Sequence, residues 1–147
     1  MASGDGFVTL ADGSVRWGRF GAAGVLARSE GRIFVALRSP HAHQGGTWAI
    51  PGGALHHGET AVEGALREFA EEIGVRLDVF EVAEIHEDDH GGWSYWTVVV
   101  DLPAPFEAPA RLHWETSATE WVTLEEAAEL DLHPAFRATL VRLGFLA

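Results

Sequence analysis

Between Gly53 and Val75 the chain reads GALHHGETAVEGALREFAEEIGV, and few folds can house a segment patterned in this way. Thr60, followed three residues later by Glu63, is a capping-box pair that starts a helix just after Glu59. Val62, Leu66, Phe69 and Ile73 recur at i, i+4, i+7 and i+11 and make one apolar stripe. Gly74 is the expected stop. At ~100° of rotation per residue, Glu68, Glu71 and Glu72 fall within roughly 100° of one another, and their centre lies about 125° from that of the stripe. One turn back this acidic face passes Gly64 and Ala61, so nothing bulky obstructs it. Like charges at i,i+4 weaken a helix, and three carboxylates kept together suit a bound cation. Hard oxygen ligands favour Mg²⁺ or Mn²⁺. Taken alone, three such acids read first as an ordinary solvated face.

The acids do not stand alone. Gly53, Glu59, Arg67, Glu68, Phe69, Glu71, Glu72, Gly74 and Val75 match every fixed position of the Nudix box, G-x5-E-x7-R-E-U-x-E-E-x-G-U, where U is apolar. The chain resembles a Nudix hydrolase. That resemblance implies an α/β/α sandwich with a mixed β-sheet, in which the box forms a loop–helix–loop. It also implies divalent-metal-dependent hydrolysis, by water attack, of a pyrophosphate bond in a nucleoside diphosphate derivative: a nucleotide, dinucleotide or nucleotide-sugar. On the same resemblance Glu71 and Glu72 are direct metal ligands and Glu68 is a ligand or general base. Glu59 adds a ligand through water, and the Gly52 carbonyl joins the metal shell. Arg67 falls off the acidic face and is assigned to orienting a box carboxylate.

Many relatives carry a further acid outside the box, three residues before a tryptophan. Here that position holds Ala118, so Glu115 is the favoured base, with Glu120 and Glu87, Asp88 and Asp89 as other candidates. A non-catalytic nucleotide sensor on the same fold is the alternative reading. It predicts a damaged box, and this box is complete.

Charge narrows the partners. Ten basic residues against 22 acidic give a net charge of −12, which argues against nucleic-acid or anionic-membrane binding, since both need Lys and Arg to meet phosphates. A polyanionic small molecule can still bind if metal ions supply positive charge locally. The absence of cysteine excludes disulfides and thiolate metal sites and fits a reducing cytoplasm. No basic-then-apolar leader opens the chain, and no apolar run approaches ~18 residues. A soluble cytoplasmic protein is expected, with a homodimer compatible.

The rest of the chain reads as one domain over 20–147 preceded by an arm. Residues 1–19 suggest a hairpin turning at Asp12-Gly13. Residues 20–28 and 32–38 are apolar runs joined by a turn, an antiparallel pair central to a sheet. A loop over 39–47 leads to a short strand from Trp48 and a glycine turn at Gly52-Gly53. Residues 76–86 and 93–102 read as strands with EDDHGG as the turn between them, and 118–122 as a last strand. Thr123 with Glu126 caps a short helix, and His133-Pro134 opens a final one that stops at Gly144. For substrate contacts, Arg38 can meet a phosphate, and Trp48, Tyr95, Trp93 or Trp96 can stack on a base. The paired histidines, HEDDH included, fit no standard metal-site spacing.

Overall fold

The computed structural model describes residues 3–110 and 112–147. The chain opens with a hairpin of β1 (Phe7–Thr9) and β2 (Val15–Trp17), paired antiparallel with Val8 opposite Arg16. Its turn closes through Leu10–Ser14 and Gly13–Leu10 main-chain bonds, with Gly13 at φ 86°, as the Asp12-Gly13 signal predicts.

Two long strands follow, β3 (Ala22–Ser29) and β4 (Arg32–Arg38), then two short ones, β5 (Trp48–Ala49) and β6 (Gly52–Ala54), and then α1 (Ala61–Ile73). Beyond α1 come β7 (Glu81–Asp89), β8 (Ser94–Asp101), β9 (Thr116–Val122), α2 (Leu124–Glu129) and α3 (Pro134–Arg142). The sheet runs β5-β4-β3-β8-β7, with β6 also on β3 and β9 also on β4. Only β3 and β8 are parallel, so the sheet is mixed.

The near-continuous apolar run of β3 reflects burial on both faces. Side chains alternate: Val25 and Ala27, with Val98 and Val100, face α1 through Ala65, Phe69 and Ile73. Leu26 and Val99 face the other way, onto Ala127, Phe136 and Leu140 of α2 and α3. Helices on both faces make the expected sandwich.

Three boundaries differ from the sequence reading. The residues before Glu81 are not strand, because β8 reaches only as far as Asp101 opposite Glu81 and offers no partner beyond it. Glu87–Asp89 belong to β7 rather than to the turn, which shrinks to His90–Gly92 with Gly91 and Gly92 at φ 82° and 93°. Gly52 and Gly53 do not form a turn. They lie in β6 opposite Gly24 and Ala23, so their value is close approach rather than positive φ.

One feature of the sheet creates the site. β4 touches β3 only near Ser29–Arg32, and at the opposite end β6 takes its place along β3. The two strands splay, β5 and β6 fill the gap on β4 and β3, and a cavity of about 710 Å³ borders this end, lined by Arg38, Ala49, Ile50 and Gly52–Ala54.

Candidate active site

The site is built outward from α1. Thr60 and Glu63 close a reciprocal capping box, and Gly74 ends the helix in the left-handed region at φ 79°. Phe69 and Ile73 are fully buried, whereas Val62 and Leu66 pack only at the margin of the core and Ala65 sits at its centre. This register turns Glu68 and Glu72 toward β6. Gly64 is not on an open face, as the helical wheel suggests. A Cβ there would run into the Leu55 side chain and lie 3.0 Å from Glu59 Oε1.

Hydrogen bonds to Val25 and Leu55 identify the ladder positions of β6 that face β3. By alternation, the main-chain groups of Gly52 and Ala54 point away from β3. Gly52 N–H donates to Glu72 Oε2 at 3.1 Å, and Ala54 O accepts from Arg67 Nη2 at 2.9 Å. The Gly52 carbonyl shares that outward direction. Gly53 makes room for Glu68: a Cβ on it would lie 2.6 Å from the Glu68 carboxyl.

Arg67 is the hub. Its Nε and Nη2 bind the two Glu59 oxygens at 2.7 and 3.0 Å, and Nη1 reaches Glu68 at 3.0 Å and Glu71 at 3.3 Å. The bidentate fork matches carboxylate geometry. It holds the Glu59 carboxyl below its ordinary range, aided by the His56 N–H, while the same bonds keep Arg67 firmly charged. Glu59, expected to add a metal ligand through water, sits in this fork. Its carboxylate is only 7% exposed and occupied by Arg67, and it stands apart from the cavity lining.

Glu72 is the opposite case. Burial pushes its pKa up to about 7, because removing a carboxylate from water penalises its charged form. Its oxygens accept only from neutral donors among the described residues, Gly52 N–H and Thr116 Oγ1 (3.2 Å), and the charge of Glu115 raises it further. Glu68 is also raised, by burial first, with Arg67 opposing.

The cavity brings Glu68, Glu71, Glu72, Gly52, Arg38 and Glu115 together. Arg38 Nε is engaged by His43 O at 2.7 Å, which orients it along the wall. Tyr95 also lines the cavity; its hydroxyl lies where a Cβ on Gly24 or Gly52 would be, and burial raises its pKa. Trp48, expected to stack on a base, packs beside the Leu26–Phe136 core and is not on the cavity wall. The cause is its main-chain pairing with Asp131 and His133, which ties it to the α2–α3 connection. Glu120 is exposed on β9 and also lies off the cavity.

Sequence reasoning missed Thr116, which touches Glu72 across 44 residues, and Asp5, Arg16 and Trp17 of the N-terminal arm, which reach the cavity. Alternation along the hairpin could have paired Val8 with Arg16, but no local signal says which way the hairpin leans. Among the described residues no three acids or histidines form a ready metal cluster; Arg67 draws Glu59, Glu68 and Glu71 to itself.

The sequence pattern described as NUDIX domain matches residues 18–143. The chain is 41% identical over 152 residues to "Putative 8-oxo-dGTP diphosphatase 3" of Mycobacterium tuberculosis, covering 95% of this chain and 69% of that protein. It is 29% identical to the CTP pyrophosphohydrolase of Escherichia coli K12, over 77% of this chain and 82% of that protein. Among solved structures, a crystal structure from M. smegmatis described as a Nudix hydrolase superimposes with a TM-score of 0.84 at 36% identity, covering 95% and 92% of the two chains.

Proposed function

Since the chain belongs to the NUDIX domain family and is a pyrophosphohydrolase of nucleotide-type substrates, we propose that Glu68, Glu72 and the Gly52 carbonyl, with Glu71 beside them, hold the divalent cation its chemistry uses. The observation that carries this reading is Glu72: a carboxylate on a cavity wall, raised to about 7 by burial, with no basic side chain hydrogen-bonded to it among the described residues. Such a group is stabilised by a cation brought to it. An all-oxygen donor set suits Mg²⁺ or Mn²⁺. When bound, that cation neutralises phosphate oxygens and activates water for in-line attack.

The chain's own residues do the remaining work. Arg67 fixes Glu68 and Glu71 in place by tying them to Glu59 and to β6. Arg38, which lines the same cavity and lies near enough to Glu72 to oppose the rise in its pKa, supplies positive charge to a phosphate. Glu115 lies close enough to Glu72 to raise its pKa, and we assign it as the base that takes the proton of the attacking water. Nucleoside triphosphates are the substrate class this reading favours, because the relatives above are named for them.

A homodimer, a cytoplasmic setting and no binding to nucleic acid belong to the same reading. The −12 charge supports the absence of nucleic-acid binding and the lack of cysteine fits a cytoplasmic setting; the dimer rests on the family resemblance alone, and mass measurement in solution checks it. No helix among the described residues is long and apolar enough to cross a membrane.

The deciding experiment is a product-resolved screen of nucleoside triphosphates, dinucleotides and nucleotide-sugars with Mg²⁺, run on the wild type and on Glu72→Gln and Glu120→Gln. Pyrophosphate-bond cleavage that falls ~100-fold or more in Glu72→Gln, as expected for loss of a catalytic electrostatic group, with Glu120→Gln unaffected, supports the reading. Full activity in Glu72→Gln sinks it.

A further inference from the structure

The N-terminal hairpin lies ahead of the region that the family pattern matches, 18–143, yet it forms part of the catalytic cavity through Arg16 and Trp17. Arg16 is held in an ordered chain of contacts. Its guanidinium carbon sits 5.6 Å from the centroid of Trp93, and Nη2 is 3.3 Å from His90 Nδ1. His90 Nε2 is 3.0 Å from Asp88 Oδ2, and Asp88 Oδ1 accepts from Arg142 at 2.9 Å. Arg16 has no acceptor role to play, so Nδ1 of His90 accepts and Nε2 carries the hydrogen toward Asp88. Trp93 is itself fastened to the hairpin's exit by Nε1–H donating to Gly18 O at 2.9 Å.

Among the described residues these contacts use Nη2 and leave Nε buried without a partner, so Nη1 and the second Nη2 hydrogen are the donors that can meet a ligand. An arginine guanidinium over an indole is an attractive pair, and here it stands at a cavity wall in a chain with ten basic residues against 22 acidic. Trp17 lines the same cavity, 47% exposed. Flat aromatic faces and a guanidinium fork suit a planar ring with acceptor atoms on its edge. The aromatic faces favour such a ring over a phosphate, for which Arg38 stands in the same cavity.

We propose that Arg16 is a specificity-determining residue that the hairpin brings over Trp93 to read the base of the bound nucleotide. It selects guanine, whose O6 and N7 are adjacent acceptors, over adenine, whose N6 amino group is a donor. The inference rests on the nucleotide-hydrolase reading above, and binding of reaction products tests it without requiring turnover.

Titration calorimetry with GMP, AMP and CMP in Mg²⁺, on the wild type, Arg16→Ala and Arg16→Lys, is decisive. The wild type should bind GMP about tenfold or more tightly than AMP, the discrimination one good bidentate contact supplies. Arg16→Ala should bring the two to parity. Arg16→Lys keeps the charge over Trp93 but loses the fork, so it should also lose the preference, and it decides the matter if the alanine variant fails to fold. Thermal melts of both variants accompany the titrations. A wild type indifferent to the base, or variants that weaken all three nucleotides equally, as a phosphate contact would, overturns the inference. Base-selective binding without hydrolysis of any triphosphate would overturn the hydrolase reading instead.

Discussion

Glu72 links the chemistry to solution conditions. Its pKa is about 7 in the folded metal-free chain against an ordinary value of 4.5, so the folded state holds that proton more tightly than the unfolded one. The stability this contributes is complete below about pH 4.5 and is lost as pH rises through about 7. Glu59 acts in the opposite sense, since its lowered pKa adds stability above its ordinary range that is lost as pH falls. The metal-free protein is therefore expected to lose melting temperature between pH 5 and pH 8 through Glu72, and Glu72→Gln should flatten that loss. Mg²⁺ should raise the melting temperature more at pH 8 than at pH 5. An equal Mg²⁺ effect at both pH values, read by calorimetry, contradicts the assignment. Gly53 offers a second check at this scale. A methyl there would press on Glu68 at 2.6 Å, so Gly53→Ala is expected to depress turnover strongly while the far-ultraviolet dichroism stays native. The general base is a third: Glu115→Gln should lower kcat by roughly 10²–10⁴-fold, and a loss below twofold would remove Glu115 from that role.

Within α1 the cap and the core contact do separable jobs. The Thr60–Glu63 box satisfies main-chain donors at the entry to the helix, so Thr60→Ala should cost ~1 kcal/mol in urea unfolding. Phe69, wholly buried against Phe34 and Phe106, should cost about 3–5 kcal/mol on truncation to alanine. The two differ because the cap removes one hydrogen bond at a wet surface, while the core change opens a cavity. Thr60→Ala equal to or larger than Phe69→Ala would mean that α1 is held by its own ends rather than by the sheet. Most of this helix was legible in sequence, since capping, stop residue and 3.6-residue periodicity are local signals. The exact face was not. Val62 and Leu66 are as apolar as Ile73, but the sheet surface receives Ala65 and Phe69 at its centre, and only the sheet's shape makes that choice.

Across the whole molecule, the −12 charge repels the polyphosphate the site is built to accept. Nucleotide binding in chelator should be weak and should strengthen, or at least not weaken, as salt rises, because screening relieves like-charge repulsion. Divalent cation should reverse both trends. Binding in chelator that collapses with added salt would point instead to a dominant basic patch. The splaying of β3 from β4 operates at this scale as well. It lets β6 run beside α1, and the cavity at that end gathers the acidic face of α1, Arg38 of β4 and the hairpin's Arg16 from parts of the chain that have no local relation.

The chemistry belongs to the sequence alone: a complete box states the carboxylates, the arginine and the glycines that make room for them, because each rests on spacing within one helix and its flanks. Tertiary structure decided which of those acids is tied and which is open. Glu59 and Glu72 look alike in sequence, yet one meets the fork of Arg67 and the other two neutral donors in a dry wall. It also placed Trp48 against the edge of the core and Arg16 on the cavity. Burial and charge pairing depend on what the rest of the chain places nearby, and that information is not local to any residue.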